Sequence, residues 1–161
     1  MEQLWAPWRA DYIKQPKQPH CILCEKHRAC EDSKNFILKR NANSVIMLNL
    51  YPYSNAHLMV APYAHIGALE TLSDEVLYEM IIAVRASIMV LKKIYQPEGI
   101  NVGLNIGKAA GAGIDEHLHF HIVPRWVGDT NFMSVAAGVR VIPEGLQVTF
   151  DLLWPHFNPT E

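Results

Sequence analysis

Long apolar runs are missing from this chain. No uninterrupted apolar stretch approaches the ~20 residues that a membrane-spanning helix needs, so no membrane partner is expected. Neither sign of charge dominates. Fourteen Lys and Arg against sixteen Asp and Glu leave a net charge of −2, which provides no basic surface for nucleic acid. Cysteine is scarce and odd in number, three residues in all, which argues against a disulfide framework and for a reducing, cytoplasmic setting. The opening Met1-Glu2-Gln3-Leu4-Trp5 lacks the charged and apolar regions of a secretory signal. Internal repeats and low-complexity segments are also absent. What remains is of globular type: half of the residues are apolar and 19% are charged, in a chain of a length that suits one domain with a real core.

Against this background one stretch stands out. His117-Leu118-His119-Phe120-His121-Ile122-Val123 alternates imidazoles with apolar side chains and closes on Pro124-Arg125-Trp126. In an extended strand successive side chains point to opposite faces, so all three imidazoles share one face. Imidazoles are poor core material, because each ring has two nitrogens that need partners when buried. They are well suited to nucleophilic and acid–base work near neutral pH. Three of the chain's eight histidines fall within these five positions, which chance explains poorly. The alternatives are a solvated strand face and an adventitious metal site.

The rest of the chain supplies a frame. Asn35 to Arg40, Ser44 to Leu48 and His57 to Ala61 read as strands, the last two as a hairpin across the turn-forming Tyr51-Pro52-Tyr53-Ser54-Asn55. Ser73 caps a helix with Asp74 and Glu75 in its first turn; Leu77, Ile81, Val84, Ile88 and Leu91 give it an apolar stripe to about Tyr95, and Gln96-Pro97-Glu98-Gly99 ends it. Ile100 to Ile106 is a strand, Gly107 to Gly113 a glycine-rich loop and Glu116 to Val123 the histidine strand. A short strand is expected near Gly138–Ile142, then a tail. Hairpin-like connections with one long helix predict an α+β fold with a mostly antiparallel sheet. Residues 1–161 are expected to form one domain: an irregular amino-terminal arm over 1–34, a catalytic core over 35–127 and a carboxy-terminal tail over 128–161.

Two further patterns carry chemistry. Asn105-Ile106-Gly107-Lys108-Ala109-Ala110-Gly111-Ala112-Gly113 lies just ahead of the histidines. Glycines let a backbone approach phosphate closely, and unpaired N–H groups make an anion nest; a flexible hairpin loop is the alternative. Cys21-Ile22-Leu23-Cys24 is a Cys-x2-Cys knuckle, which in a reducing setting reads as metal or redox. A lone pair falls short of the four ligands of structural zinc, and His20, His27 and Cys30 stand nearby as further donors; two free cysteines packed under the arm are the alternative.

His-φ-His-φ-His-φ-φ, with φ apolar, resembles the motif of the histidine triad (HIT) superfamily of nucleotide hydrolases and transferases. Asn49-Leu50-Tyr51-Pro52-Tyr53 leading into His57-Leu58-Met59-Val60-Ala61-Pro62 and Ala64-His65-Ile66 is similar to the family's other active-site strand. Trp5-Ala6-Pro7-Trp8-Arg9 and Pro124-Arg125-Trp126 resemble its diadenosine tetraphosphate phosphorylase-like branch. The likeness implies a HIT-like fold: a five-stranded sheet with one long and one short helix. It implies cleavage at the α-phosphate of a nucleoside or dinucleoside polyphosphate, with diadenosine tetraphosphate as leading substrate and water or phosphate as acceptor. By the resemblance His119 is the nucleophile, forming a nucleotidyl-histidine intermediate, His121 and His57 donate to phosphate oxygens, and His117 supports them. Asn49 binds the ribose, although a turn-forming role is equally open. Asn105, Gly111, Ala112 and Gly113, with His121, hold phosphate. Many relatives carry Gln or Ser where Ala112 or Gly113 stands here, so the loop must act through backbone N–H groups. Ile22, Leu23 and Leu48 wall the base, although plain core is equally open for these apolar residues. Structural zinc on Cys21, Cys24, His65 and His117 and a homodimer complete the implied picture. The competing readings are a non-catalytic AMP- or dinucleotide-binding module and a zinc-organised interaction protein.

Overall fold

The computed structural model describes residues 20–129 and 142–159. Its frame is a sheet of β1 (Ile37–Arg40), β2 (Ser44–Leu48), β3 (Leu58–Pro62), β4 (Gly99–Leu104) and β5 (Phe120–Arg125), in the order β1-β2-β3-β5-β4. Every pairing is antiparallel, as the hairpin-like spacing predicts. Register sorts the side chains onto two faces. Ile46 opposes Val60 and Val60 opposes Phe120; these point one way together with Leu48, Leu58 and Ile122. Met47 opposes Met59 and Met59 opposes His121; these point the other way.

The first face is covered by helices. The predicted long helix is α3 (Asp74–Ile94), following α1 (Ile22–Arg28) and α2 (Asp32–Asn35) in the chain. The Ser73 hydroxyl accepts from the Val76 N–H, capping it as expected. Met80, Ala83, Val84 and Leu91 of α3 are buried in the same cluster as Ile46, Leu58 and Ile122.

The segment expected to be a tail contains α4 (Leu146–Phe157), whose Phe150, Leu153 and Phe157 enter that cluster, so the core is not confined to residues 35–127. Leu146, Phe150, Leu153 and Phe157 recur at steps of four, three and four, a helical stripe. Its entrance is pinned by Glu144, which accepts hydrogen bonds from Tyr95, Thr149 and Asn55. Of the strand expected near 138–142, residues 138–141 lie outside the described residues, as does Trp5–Arg9, while Ile142 is in no strand.

Two boundaries differ from expectation. The described part of the arm is not irregular: it is α1 and α2, with Glu25 in the first turn of α1 and Lys26, His27 and Arg28 in its last, matching the helix dipole. Seven residues are too few to leave a readable apolar period. The histidine strand begins at Phe120 instead of Glu116. Ahead of it the chain is gripped by residues 66–67: the Leu118 N–H donates to the Ile66 carbonyl at 2.7 Å. The crossing is so close that a Cβ on Gly67 would lie 2.7 Å from the Asp115 carbonyl oxygen. A tertiary contact has displaced the ladder from its first four positions.

Candidate active site

The second face of the sheet is only partly covered. Leu23 of α1 packs with Ile37, Val45, Met47, Met59 and Ala61, and beside this small cluster opens a pocket. His119 and His121 stand in its wall.

Hydrogen bonds settle the proton on each of these rings. The Tyr53 backbone N–H donates to Nδ1 of His57 at 3.0 Å. A backbone N–H can only donate, so His57 carries its proton on Nε2. That Nε2 lies 3.0 Å from Nδ1 of His121 and donates to it, which leaves the His121 proton on Nε2. Nδ1 of His119 lies 2.9 Å from the carbonyl oxygen of His117 and donates to it, so the His119 lone pair is on Nε2. The rings nest closely, with 4.7 Å between the centroids of His119 and His121 and 5.1 Å between those of His57 and His121.

Burial sets their charge. His57 is 1% exposed, and desolvation, reinforced by His121 and His119 nearby, pushes its pKa down to about 3. Desolvation also lowers His119, against the opposing pull of the His117 carbonyl. Both shifts favour the neutral form of His57 and His119. His57 therefore sits behind His121, with its Nε2 committed to that ring. The family resemblance implied a direct phosphate donor at this position, whereas in this geometry His57 gives its Nε2–H to Nδ1 of His121 and so sets the tautomer of that ring.

His117 turns to a second cluster. One ligand-capable atom each from Cys21, Cys24, His65 and His117 lie within 4.8 Å of one another. Nδ1 of His117 is 3.3 Å from the Cys21 sulfur, 3.4 Å from the Cys24 sulfur and 3.4 Å from Nδ1 of His65, which is in turn 3.5 Å from the Cys24 sulfur. Tetrahedral zinc with bonds of about 2.3 Å to sulfur and 2.05 Å to nitrogen has S···N edges of about 3.6 Å and N···N edges of about 3.3 Å. The donor set has that shape and charge type. The Nε2–H of His117 donates to the Pro62 carbonyl at 2.8 Å, which turns the lone pair of Nδ1 toward the sulfurs. Burial pushes this ring down to about 4, so it is neutral when it presents that lone pair. His20, His27 and Cys30 are not members of the cluster.

Of the residues expected at the nucleotide, Asn49, Gly113 and His121 line the pocket, together with Ile22, Leu23 and Leu48 of the expected base wall. Asn105, Gly111 and Ala112 are not among the lining residues. Asn49 also fills its turn-forming role, its Oδ1 accepting the Tyr51 N–H at 2.9 Å. Sequence reasoning missed Lys26, Met47, Leu50, Tyr51, Tyr53, Met59 and Ile114 in the walls. Strand alternation could have found Met47 and Met59, which share the face of His121. Burial lowers the pKa of Lys26.

The HIT domain family model matches residues 31–127. The chain is 37% identical to a protein named AP-4-A phosphorylase from Mycobacterium tuberculosis over 95% of its own length and 83% of that protein's. It is 32% identical to an adenosine 5′-monophosphoramidase of Schizosaccharomyces pombe, over 65% of the chain and 74% of the relative. In fold it resembles a Zn-bound histidine triad family protein from Mycobacterium smegmatis, with a TM-score of 0.69 at 23% identity, covering 85% of this chain and 92% of the other. A match over most of the sheet and the whole triad, joined to near full-length likeness at this level of identity, places the chain in the HIT family.

Proposed function

We propose that this protein cleaves a dinucleoside polyphosphate, diadenosine tetraphosphate first among them, at the α-phosphate through His119. The observation that carries this reading is the 2.9 Å hydrogen bond from His119 Nδ1 to its own chain, which holds a lone pair on Nε2 in the wall of the pocket. In the first step that lone pair forms a P–N bond to the α-phosphorus. The P–O bond to the leaving polyphosphate breaks, and its electron pair departs on that oxygen. In the second, an oxygen of water or phosphate displaces Nε2, which recovers its electron pair. Splitting one displacement into two lowers the barrier to each. The Nε2–H of His121 stabilises charge on the non-bridging oxygens in both steps. The relative named AP-4-A phosphorylase supports this substrate class, with phosphate as the acceptor. Turnover of diadenosine tetraphosphate, run with and without phosphate, tests it: ADP formation that requires phosphate gives a phosphorylase, and AMP release in water alone a hydrolase. Binding without turnover under either condition leaves a non-catalytic binding module.

Cys21, Cys24, His65 and His117 hold one structural zinc in this reading, supported by the tetrahedral edge lengths and the two thiol donors. Such a metal supplies cross-linking and no step of the reaction. The protein works as a homodimer. α3 exposes Tyr78, Ile81 and Met89, and β4 ends the sheet with one side unpaired by any other described strand. A monomeric mass at micromolar concentration counts against it.

A further inference from the structure

Lys26 is the one Lys or Arg among the residues lining the pocket. It is half-buried, and no hydrogen bond or ion pair with another described residue occupies its ammonium. Its place is set by α1, one turn beyond Ile22, on a helix that packs through Leu23 over Ile37, Val45 and Met47. That is the β1–β2 side of the sheet, whereas His121 lies on β5 with β3 between. Two strand spacings separate β2 from β5, about 10 Å. A nucleoside monophosphate spans a similar length, so one with its phosphorus at His119 would reach the α1 end of the pocket, where Ile22 and Met59 also line it.

On this reading of the pocket as a nucleotide site, we infer that Lys26 is a specificity-determining residue that reads the edge of a purine base. An ammonium carries donors only. The N7/O6 edge of guanine offers it two acceptors, while the corresponding edge of adenine pairs the N7 acceptor with an N6 amino donor that repels it. A single donor at this point therefore favours guanine relative to what the apolar walls alone would give. Those walls grip either purine alike, because dispersion against Ile22 and Met59 depends on ring area and is blind to the edge.

The test is equilibrium titration of AMP, GMP and guanosine into the full-length protein and its Lys26→Met and Lys26→Arg variants. Met fits a helix as well as Lys does and keeps the apolar stem, so circular dichroism should be unchanged. The expected result for Lys26→Met is GMP and guanosine weakened by roughly tenfold and AMP by less than threefold. Lys26→Arg should retain most of the GMP affinity. Equal weakening of AMP and GMP, with guanosine unaffected and a reduced salt dependence, would assign Lys26 to phosphate and overturn the base-reading role. Unchanged affinities would overturn it as well. Failure of the unaltered protein to bind any of the three removes the nucleotide reading itself, and this assignment with it.

Discussion

The backbone carbonyl of His117 accepts the Nδ1 proton of His119 at 2.9 Å, while the side chain of His117 enters the Cys21–Cys24–His65 cluster. One residue thus fixes the tautomer of His119 through its main chain and reaches the cluster through its ring. The two ends of the triad divide the labour: His117 faces the cluster, and His121 takes its orientation from His57.

Replacing the nucleophile should remove the two-step route entirely. His119→Ala is expected to lower turnover by at least ~10³-fold, while His119→Asn still binds AMP. Brief mixing with labelled dinucleotide and denaturation in alkali, which spares phosphoramidates, should trap the label on His119. Label on another histidine, or normal turnover of His119→Ala, would disprove the mechanism.

His57 and His121 should differ in a graded way. His121→Ala removes a direct donor to transition-state charge and is expected to cost roughly 10²–10³-fold in kcat. His57→Ala removes only the group that orients that donor, and the cost expected is roughly 10–10²-fold. A larger loss in His57→Ala than in His121→Ala would mean that His57 contacts phosphate itself.

Acid should destabilise the fold through His57. The ring is held neutral down to about pH 3, whereas in an unfolded chain it protonates near 6.5. Between those values the unfolded state binds more protons, so stability is fully present above pH 6.5 and is lost as pH falls toward 3. Urea midpoints measured from pH 7.5 to 4 should fall, and the fall should be shallower in His57→Gln. Parallel curves for the two proteins would show that other groups govern acid unfolding.

Metal analysis of protein purified without chelator should give one zinc per chain. Less than about a tenth of an equivalent would eliminate the site. Cys24→Ser should lower the zinc content and the thermal midpoint together, and activity only indirectly.

Gly67→Ala probes the crossing ahead of the triad. The added methyl would meet backbone, Asp115 O at 2.7 Å and Glu116 Cα at 3.0 Å, neither of which can rotate aside. About 1–3 kcal/mol of stability should be lost, and zinc should exchange faster as His117 shifts. Unaltered stability in a denaturant titration would show that the crossing relaxes freely.

Much of this was readable in advance because periodicity survives in long elements. The apolar runs from Ser44 to Leu48 and from Leu58 to Pro62 are those of strands buried on both faces, and the stripe of α3 is a direct projection of the face that it buries. The stripe of α4 was equally present in Leu146, Phe150, Leu153 and Phe157, but Pro143, Pro155 and Pro159 masked it; Pro155 is accommodated inside the helix. The role of Gly67 and the late start of β5 arise from contact between segments about fifty residues apart, and no local pattern encodes that. Nor could spacing tell that His57 gives its Nε2 to His121, since that depends on the Tyr53 N–H reaching the other nitrogen first.

The short helix α1 carries Cys24, with Cys21 at its N-cap, and three residues of the pocket wall, Ile22, Leu23 and Lys26. Were the cluster to hold zinc and the pocket a nucleotide, both would act on the same seven-residue helix, and occupancy of one site would be a free-energy term in the other. Coupling of this kind is reciprocal: whatever factor the metal adds to nucleotide affinity, bound nucleotide returns to metal retention. A pocket kept filled by substrate would then shield Cys21 and Cys24 from oxidation, and starvation for substrate would expose them. The protein's resistance to oxidative loss of its thiols becomes a readout of how much nucleotide surrounds it.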